Sequence, residues 1–302
     1  MPHVTSGGVQ IYWEEDGPVG TSKEVPDEPH TTDAGHTTGA THPAVLLIMG
    51  LGATLDWWHR LRPPLAARFR TILFDNRGVG RSDVPSPPYS IAQMADDAAA
   101  VLDAAGVASA HVVGMSMGGY IAQELVLRHP SRARSLVLGC TSCGGRDAVP
   151  ADAEVRAALS ARAQMSREDA MWLMAPYTFD ATTPRDVIAD EFARRLTTPV
   201  TNEGFFAQLQ AIREWSGALS RLSTVSVPTL VVHGETDRLV PPQNGRILAD
   251  AIPNARLVML PRASHIFFTD QFEPARDALL SFLNAAGTTK TRRHEDARRT
   301  LA

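Results

Sequence analysis

Six apolar runs of strand length, each separated from the next by a stretch of different character, restrict this chain more than any other feature. They are 44–49 (AVLLIM), 71–75 (TILFD), 110–115 (AHVVGM), 134–140 (RSLVLGC), 228–234 (PTLVVHG) and 255–261 (ARLVMLP). Strands apolar on both faces must be covered on both faces, which happens when helices pack on either side of a parallel sheet. Two of the intervening stretches supply such helices. Residues 91–105 place Ile91, Met94, Ala98, Val101 and Leu102 on one face and stop at Gly106, and 117–128 forms a second crossover ended by Pro130. An earlier segment, 9–15 (VQIYWEE), alternates instead and follows the turn Ser6-Gly7-Gly8, so it predicts an antiparallel strand. The fold class expected is α/β, a mostly parallel twisted sheet flanked by helices.

The rhythm breaks between Cys143 and Ser226, where helical periodicity continues without a strand. Met171, Trp172 and Met174, then Phe205, Phe206, Leu209, Ile212 and Trp215, form apolar helical stripes there. A helical insertion between two strands of one sheet predicts a cap, or lid, over 143–217, splitting a core of 1–142 and 218–286. Residues 16–43 are rich in Gly, Pro, Thr and acid and read as a flexible insertion; its histidines His30, His36 and His42 lack the fixed spacing of a metal site. Residues 287–302 read as a polar, frayed tail.

Composition narrows the partners. The net charge is −4, and the 29 basic residues, all arginine except Lys23 and Lys290, are scattered rather than striped, so nucleic acid is not expected. No apolar run approaches the ~20 residues that cross a bilayer, and no basic start leads into a secretory-type stretch, so neither a membrane span nor export is expected and the cytoplasm is. The two cysteines, Cys140 and Cys143, form a C-x-x-C after a strand deep in the chain, which favours packing over redox chemistry.

The chemistry begins at Gly114-Met115-Ser116-Met117-Gly118-Gly119, directly after one strand run and opening a helix. So sharp a turn forces the serine into strained backbone angles, and small residues two before and two after let strand and helix approach. The turn holds a hydroxyl beside a helix N-terminus, where developing negative charge is favoured. A hydroxyl needs a base, and the base needs a carboxylate to fix its tautomer. Of the ten histidines, His265 (PRASHIFF) lies in a loop just past the last strand; His111 and His233 lie in strands, and His59 and His129 beside helices. Asp237 (HGETDRLVPP) follows its own strand, whereas 139–143 contains no acid.

With Ser116, Asp237 and His265 in the order nucleophile, acid, histidine, each after a strand, the chain resembles the α/β-hydrolase family over roughly 44–284. Asp75-Asn76-Arg77-Gly78-Val79-Gly80-Arg81-Ser82 is similar to that family's D-x-R-G-x-G-x-S loop and is read as structural, with Arg77 and Ser82 as minor ligand candidates. The resemblance implies an oxyanion hole of two backbone amides, Met117 and Leu51, although Met49-Gly50 stands where many members have His-Gly. The pocket is expected to include Gly50, Met115, Cys140, Trp172, Phe205, Phe206, Trp215, Val240 and Ile266. The texture looks most like the small-molecule esterases and lactonases, including the 3-oxoadipate enol-lactonase type. It implies a serine hydrolase of small to medium apolar esters or lactones, needing no cofactor or metal. The same triad serves C–C bond hydrolases, aminopeptidases and cofactor-free haloperoxidases. In an aminopeptidase, Glu168, Asp169 and Glu203 are the acids available to hold a substrate amine. A non-catalytic ligand receptor is a further alternative.

Overall fold

In a computed structural model of the chain, residues 2–18, 42–162 and 165–299 are described, with side chains described as far as Ala286. The reading of 16–43 as a flexible insertion, with His30 and His36, therefore falls largely outside the described residues. Eight strands form one sheet: β1 (His3–Ser6), β2 (Val9–Asp16), β3 (Ala44–Ile48), β4 (Arg70–Phe74), β5 (Ala110–Met115), β6 (Ala133–Gly139), β7 (Thr229–Gly234) and β8 (Arg256–Leu260). Their spatial order is β1-β2-β4-β3-β5-β6-β7-β8. From β4 to β8 every pairing is parallel, and the β1–β2 hairpin joins β4 antiparallel through Trp13–Phe74.

The central strands are buried on both faces, as their unbroken apolar runs require. One face packs on α2 (Ile91–Ala104) and α3 (Met117–Arg128), and α8 (Gln243–Ala251) extends that layer through Leu248. Ser90 caps α2 by accepting from Gln93 N–H at 3.1 Å. The other face packs on a short α1 (Arg62–Ala66), on α9 (Phe267–Asp270) and on α10 (Phe272–Arg299), whose Ala275, Leu279 and Leu283 are buried. The α10 backbone continues as helix through most of 287–302, where a frayed tail is expected from the sequence.

Between β6 and β7 the described residues form four α-helices, α4 (Ala153–Ala161), α5 (Arg167–Thr178), α6 (Arg185–Leu196) and α7 (Asn202–Glu214). Asp152, Ser166 and Thr201 cap α4, α5 and α7 respectively, each accepting from the backbone N–H three residues on. Glu191, on α6, is wholly buried and fastens this segment to the core. Its carboxylate meets Arg60 at 2.5 Å, Arg195 at 3.2 Å and His59 at 3.4 Å, and accepts from Thr269 Oγ1 at 3.1 Å. Burial pushes this acid up, but the surrounding His59, Arg195 and Arg60 outweigh burial and hold it at about 2, below its ordinary 4.5. A depressed folded value means stability present above pH 4.5 and lost as pH falls toward 2. Removing one partner from such a buried set costs about 3–5 kcal/mol. Glu191→Gln is therefore expected to lower the urea midpoint sharply at pH 7, and the difference from wild type should shrink as the pH approaches 3.

Candidate active site

Ser116 sits between β5 and α3 at φ 55°, ψ −120°. This is left-handed backbone that a side-chain-bearing residue adopts only when its surroundings enforce it. The surroundings are small residues. A Cβ at Gly114 would lie 2.3 Å from Gly118 O, one at Gly118 would lie 2.1 Å from Ile48 O, and one at Gly50 would lie 3.0 Å from Ser116 Cβ. The turn is bonded on both sides: Ser116 N–H donates to Gly139 O at 2.9 Å, and Ser116 O accepts from Gly119 N–H at 2.8 Å and Thr141 Oγ1 at 2.7 Å.

Asp237 and His265 meet as the sequence order suggests. His265 Nδ1 lies 2.9 Å from Asp237 Oδ2, and both side chains are buried. The other carboxylate oxygen accepts from Leu239 N–H at 2.9 Å and Val240 N–H at 2.8 Å. Burial alone raises Asp237, but His265 and His233 outweigh it and bring the group down to about 2, so the acid is ionised at any working pH. An ionised acceptor fixes the proton on Nδ1 and leaves Nε2 as the basic nitrogen. His233, a second and wholly buried histidine, lies 3.5 Å from the same oxygen and donates from Nε2 to Val240 O at 2.8 Å. Elsewhere His111 bonds Ser135 and His129 bonds Asp96, so neither competes for the site.

The His265 loop is held by neighbours from the inserted helices. Ile266 N–H donates to Thr178 O at 2.9 Å; Asp270 accepts from Ser264 N–H at 2.7 Å and Asp180 N–H at 3.1 Å; Thr236 Oγ1 donates to Asp180 at 2.7 Å. Burial pushes Asp270 up to about 6, against these bonds.

Ser116 and His265 open on one cavity of about 270 Å³. Gly50, Leu51, Met115, Met117, Val240 and Ile266 also line it. Leu51 N–H has no acceptor among the described residues, and Met117 opens α3, where no preceding turn accepts its amide. The remaining pocket candidates lie off this cavity. Cys140 is beneath it, its thiol donating to Ser264 O at 3.6 Å and accepting from Gly234 N–H at 3.4 Å. Trp172 points away, edge-on to Phe192 at 4.9 Å and under the Arg185 guanidinium at 4.0 Å. It is Met171 and Met174, three apart on the same helix face, that reach the cavity. Trp215 turns to the core, tilted on Tyr120 at 4.8 Å and donating to Glu124 at 2.8 Å. Phe205 and Phe206 border a second, smaller hollow of about 50 Å³. Glu168, Asp169 and Glu203 are exposed, and among the described residues no carboxylate side chain lines the main cavity.

Three features were invisible to sequence reasoning. Arg162, Arg167 and Arg195 line a cavity expected to be apolar. Gln208, on α7 and wholly buried, accepts from Gly52 N–H at 2.9 Å and donates to Arg77 O at 2.8 Å. Asn76 Nδ2 holds Met49 O at 2.9 Å. Together Gln208 and Asn76 fasten the Met49–Gly52 loop, which lacks the family's usual histidine. Gln208 is a positioning residue for that loop. The family resemblance implies that this loop supplies an oxyanion donor; losing one costs ~10²–10³ in rate, so a partial displacement should cost up to about 10²-fold. Gln208→Ala is expected to lower kcat within that bound while KM moves less, read from initial rates on a nitrophenyl ester. Arg77 and Ser82 stay structural: Arg77 makes two 2.7 Å bonds to buried Asp97, and Ser82 Oγ donates to Asp75 O at 2.6 Å.

Among the described residues, the donors grouped closely enough for a metal are Cys140, Asp237 and His265, all within 4.8 Å of one another. They are poorly suited to one. Burial, and then Asp237, pushes the Cys140 thiol well above its ordinary value, so it is not a thiolate, and the other two are bonded to each other. Both cysteines are free and buried.

The model of the alpha/beta hydrolase fold family matches residues 43–272. The chain belongs to the α/β-hydrolase fold family. Within it, "Putative carbamate hydrolase RutD" of Azorhizobium caulinodans is 33% identical over 248 residues, covering 81% of this chain and 92% of the relative. "Putative non-heme bromoperoxidase BpoC" of Mycobacterium tuberculosis is 32% identical over 260 residues, covering 80% and 94%. The crystal structure of the enol-lactonase from Burkholderia xenovorans superposes with a TM-score of 0.75 at 26% identity, covering 94% of this chain and all of that one. The mostly parallel eight-stranded sheet with its flanking helices is thus that of an α/β hydrolase. No helix among the described residues is long and apolar enough to cross a membrane.

Proposed function

We propose that this α/β hydrolase cleaves small carboxylic esters or lactones through an acyl-enzyme on Ser116. The observation that carries the reading is the buried Asp237–His265 pair at 2.9 Å, opening on the same cavity as a serine in a strained strand-to-helix turn. His265 takes the hydroxyl proton as Ser116 attacks the carbonyl carbon, and the oxyanion forms against the Leu51 and Met117 amides. His265 then returns the proton to the departing alcohol, and water repeats the sequence to free the acid. Residues 143–217 act as the cap, its α5 and α7 supplying cavity walls. The likeness to an enol-lactonase supports a lactone or ester carbonyl as the target. The likeness to BpoC favours a haloperoxidase as the second reading, whereas an aminopeptidase lacks support because the candidate acids are exposed.

A fluorophosphonate probe tests the proposal. Mass spectrometry of the digested adduct is expected to find one modified peptide, containing Ser116; a label on another residue, or none with hydrolysis intact, overturns it. A bromide- and peroxide-dependent halogenation assay separates the second reading, which predicts turnover there and none on esters or lactones.

A further inference from the structure

Of the three arginines lining the cavity, only Arg195 is answered by an acid among the described residues, Glu191 at 3.2 Å. Arg162, at the C-terminal end of α4, and Arg167, the first residue of α5, make no ion pair among the described residues. Arg162 lies over the Phe205 ring at 4.3 Å. Arg167 gives one terminal nitrogen to Thr198 O at 2.6 Å, while the other is buried with no acceptor. Both side chains are half-buried, and both border the main cavity and the smaller hollow beside it, so they stand where the two meet. Burial first, and then the nearby charge of Arg167, pulls Arg162 below its ordinary range. Two half-buried guanidiniums on one cavity wall with no counter-charge among the described residues are costly, and a buried donor without an acceptor is costly again. A ligand carboxylate removes both costs, because its two oxygens match the guanidinium fork.

We propose that Arg162 and Arg167 form an anion subsite, and that the ester or lactone cleaved at Ser116 carries a carboxylate on the acyl side, remote from the scissile carbonyl. The inference rests on the hydrolase reading above and supplies its substrate class. Met171, Met174, Leu209 and Ile212 line the cavity and suit the hydrocarbon linking the two ends. The same charges disfavour a cationic aminoacyl group.

The test compares 4-nitrophenyl hemisuccinate, hemiglutarate and hemiadipate with neutral esters in which an isopropyl group replaces the carboxylate. At the best chain length the anionic ester is expected to win by tenfold or more in kcat/KM. The ratio should fall to near one in Arg162→Gln and in Arg167→Gln and be largely kept in Arg162→Lys. Using the ratio cancels packing lost at Phe205. Should a glutamine variant fail to fold, ionic strength serves on wild type: raising salt from about 0.02 to 0.5 M should erode the anionic ester's advantage and spare the neutral one. Equal rates on both ester types, a preference unmoved in both glutamine variants, or an advantage indifferent to salt overturns the subsite. Glutarate and adipate binding to Ser116→Ala, by calorimetry, tests it independently of turnover. Binding that weakens tenfold in Arg162→Gln upholds the subsite even if no ester is cleaved, and no binding overturns it; missing ester turnover with Ser116 unlabelled defeats the hydrolase reading alone.

Discussion

Ser116→Ala is expected to lose on the order of 10⁵-fold or more in kcat on any ester the wild type cleaves, with its melting temperature within a few degrees. The size of the effect follows from the division of labour. Without the hydroxyl, His265 has no proton to take and no acyl-enzyme forms, while the oxyanion amides and the cavity remain, leaving only the modest catalysis they supply alone. Stability should hold because the turn is kept by main-chain bonds to Gly139 and Gly119 and by Thr141, none of which uses the Ser116 side chain. Stopped assays of variant and wild type against an enzyme-free blank measure the rates, and calorimetry the melting point. A residual rate within tenfold of wild type would sink the mechanism.

Asp237→Asn is expected to cost about 10⁴-fold at neutral pH, the loss seen when an aspartate that orients a catalytic histidine becomes an amide. An asparagine presents either an amide to His265, reversing the tautomer, or a carbonyl with no charge to stabilise the imidazolium. Because the folded Asp237 is held at about 2, its ionisation contributes no limb to the wild-type profile above about pH 4. Its contribution to stability, by the same sign, is present above its ordinary value of 3.8 and lost as pH falls toward 2. The variant should thus lose activity at every pH from about 5 to 9 by a similar factor, measured as kcat/KM against pH. The Leu239 and Val240 amides retain an oxygen acceptor in one amide orientation, so the loop keeps its shape.

The sheet was legible because burial on both faces leaves no room for polar residues: the run at 110–115 coincides with β5, and that at 44–49 with β3 to within one residue. The three residues proposed as the triad could be picked out for a related reason, since each follows a strand and the parallel sheet gathers those ends at one edge. The walls were not. A helical stripe shows that Met171, Trp172 and Met174 are buried, but a rotation of 100° per residue separates Trp172 from its neighbours, and only packing decides which side meets the cavity. Trp215, Phe205 and Phe206 fail for the same reason, each being drawn to Tyr120, to Gly52 and Arg162, or outward to solvent. Gln208 and the two unpaired arginines left no trace because a single polar residue on an amphipathic helix looks the same whether it faces water, a loop or a ligand.

The hydrogen bonds that join the His265 loop to Thr178 and Asp180 reach into the chain's evolutionary prospects. Helices α5 and α6 shape the cavity and also fix the base, so a sequence drifting toward a new substrate through them disturbs turnover with every step. Helix α4 packs on α5 through Val155 and Ala158 against Met174, a contact that leaves out Arg162 at its C-terminal end, and its other ties are exposed pairs of Arg238 with Asp152 and Glu154, which typically contribute little. Selection can therefore exchange what α4 presents to the cavity, Arg162 included, with little disturbance to the base.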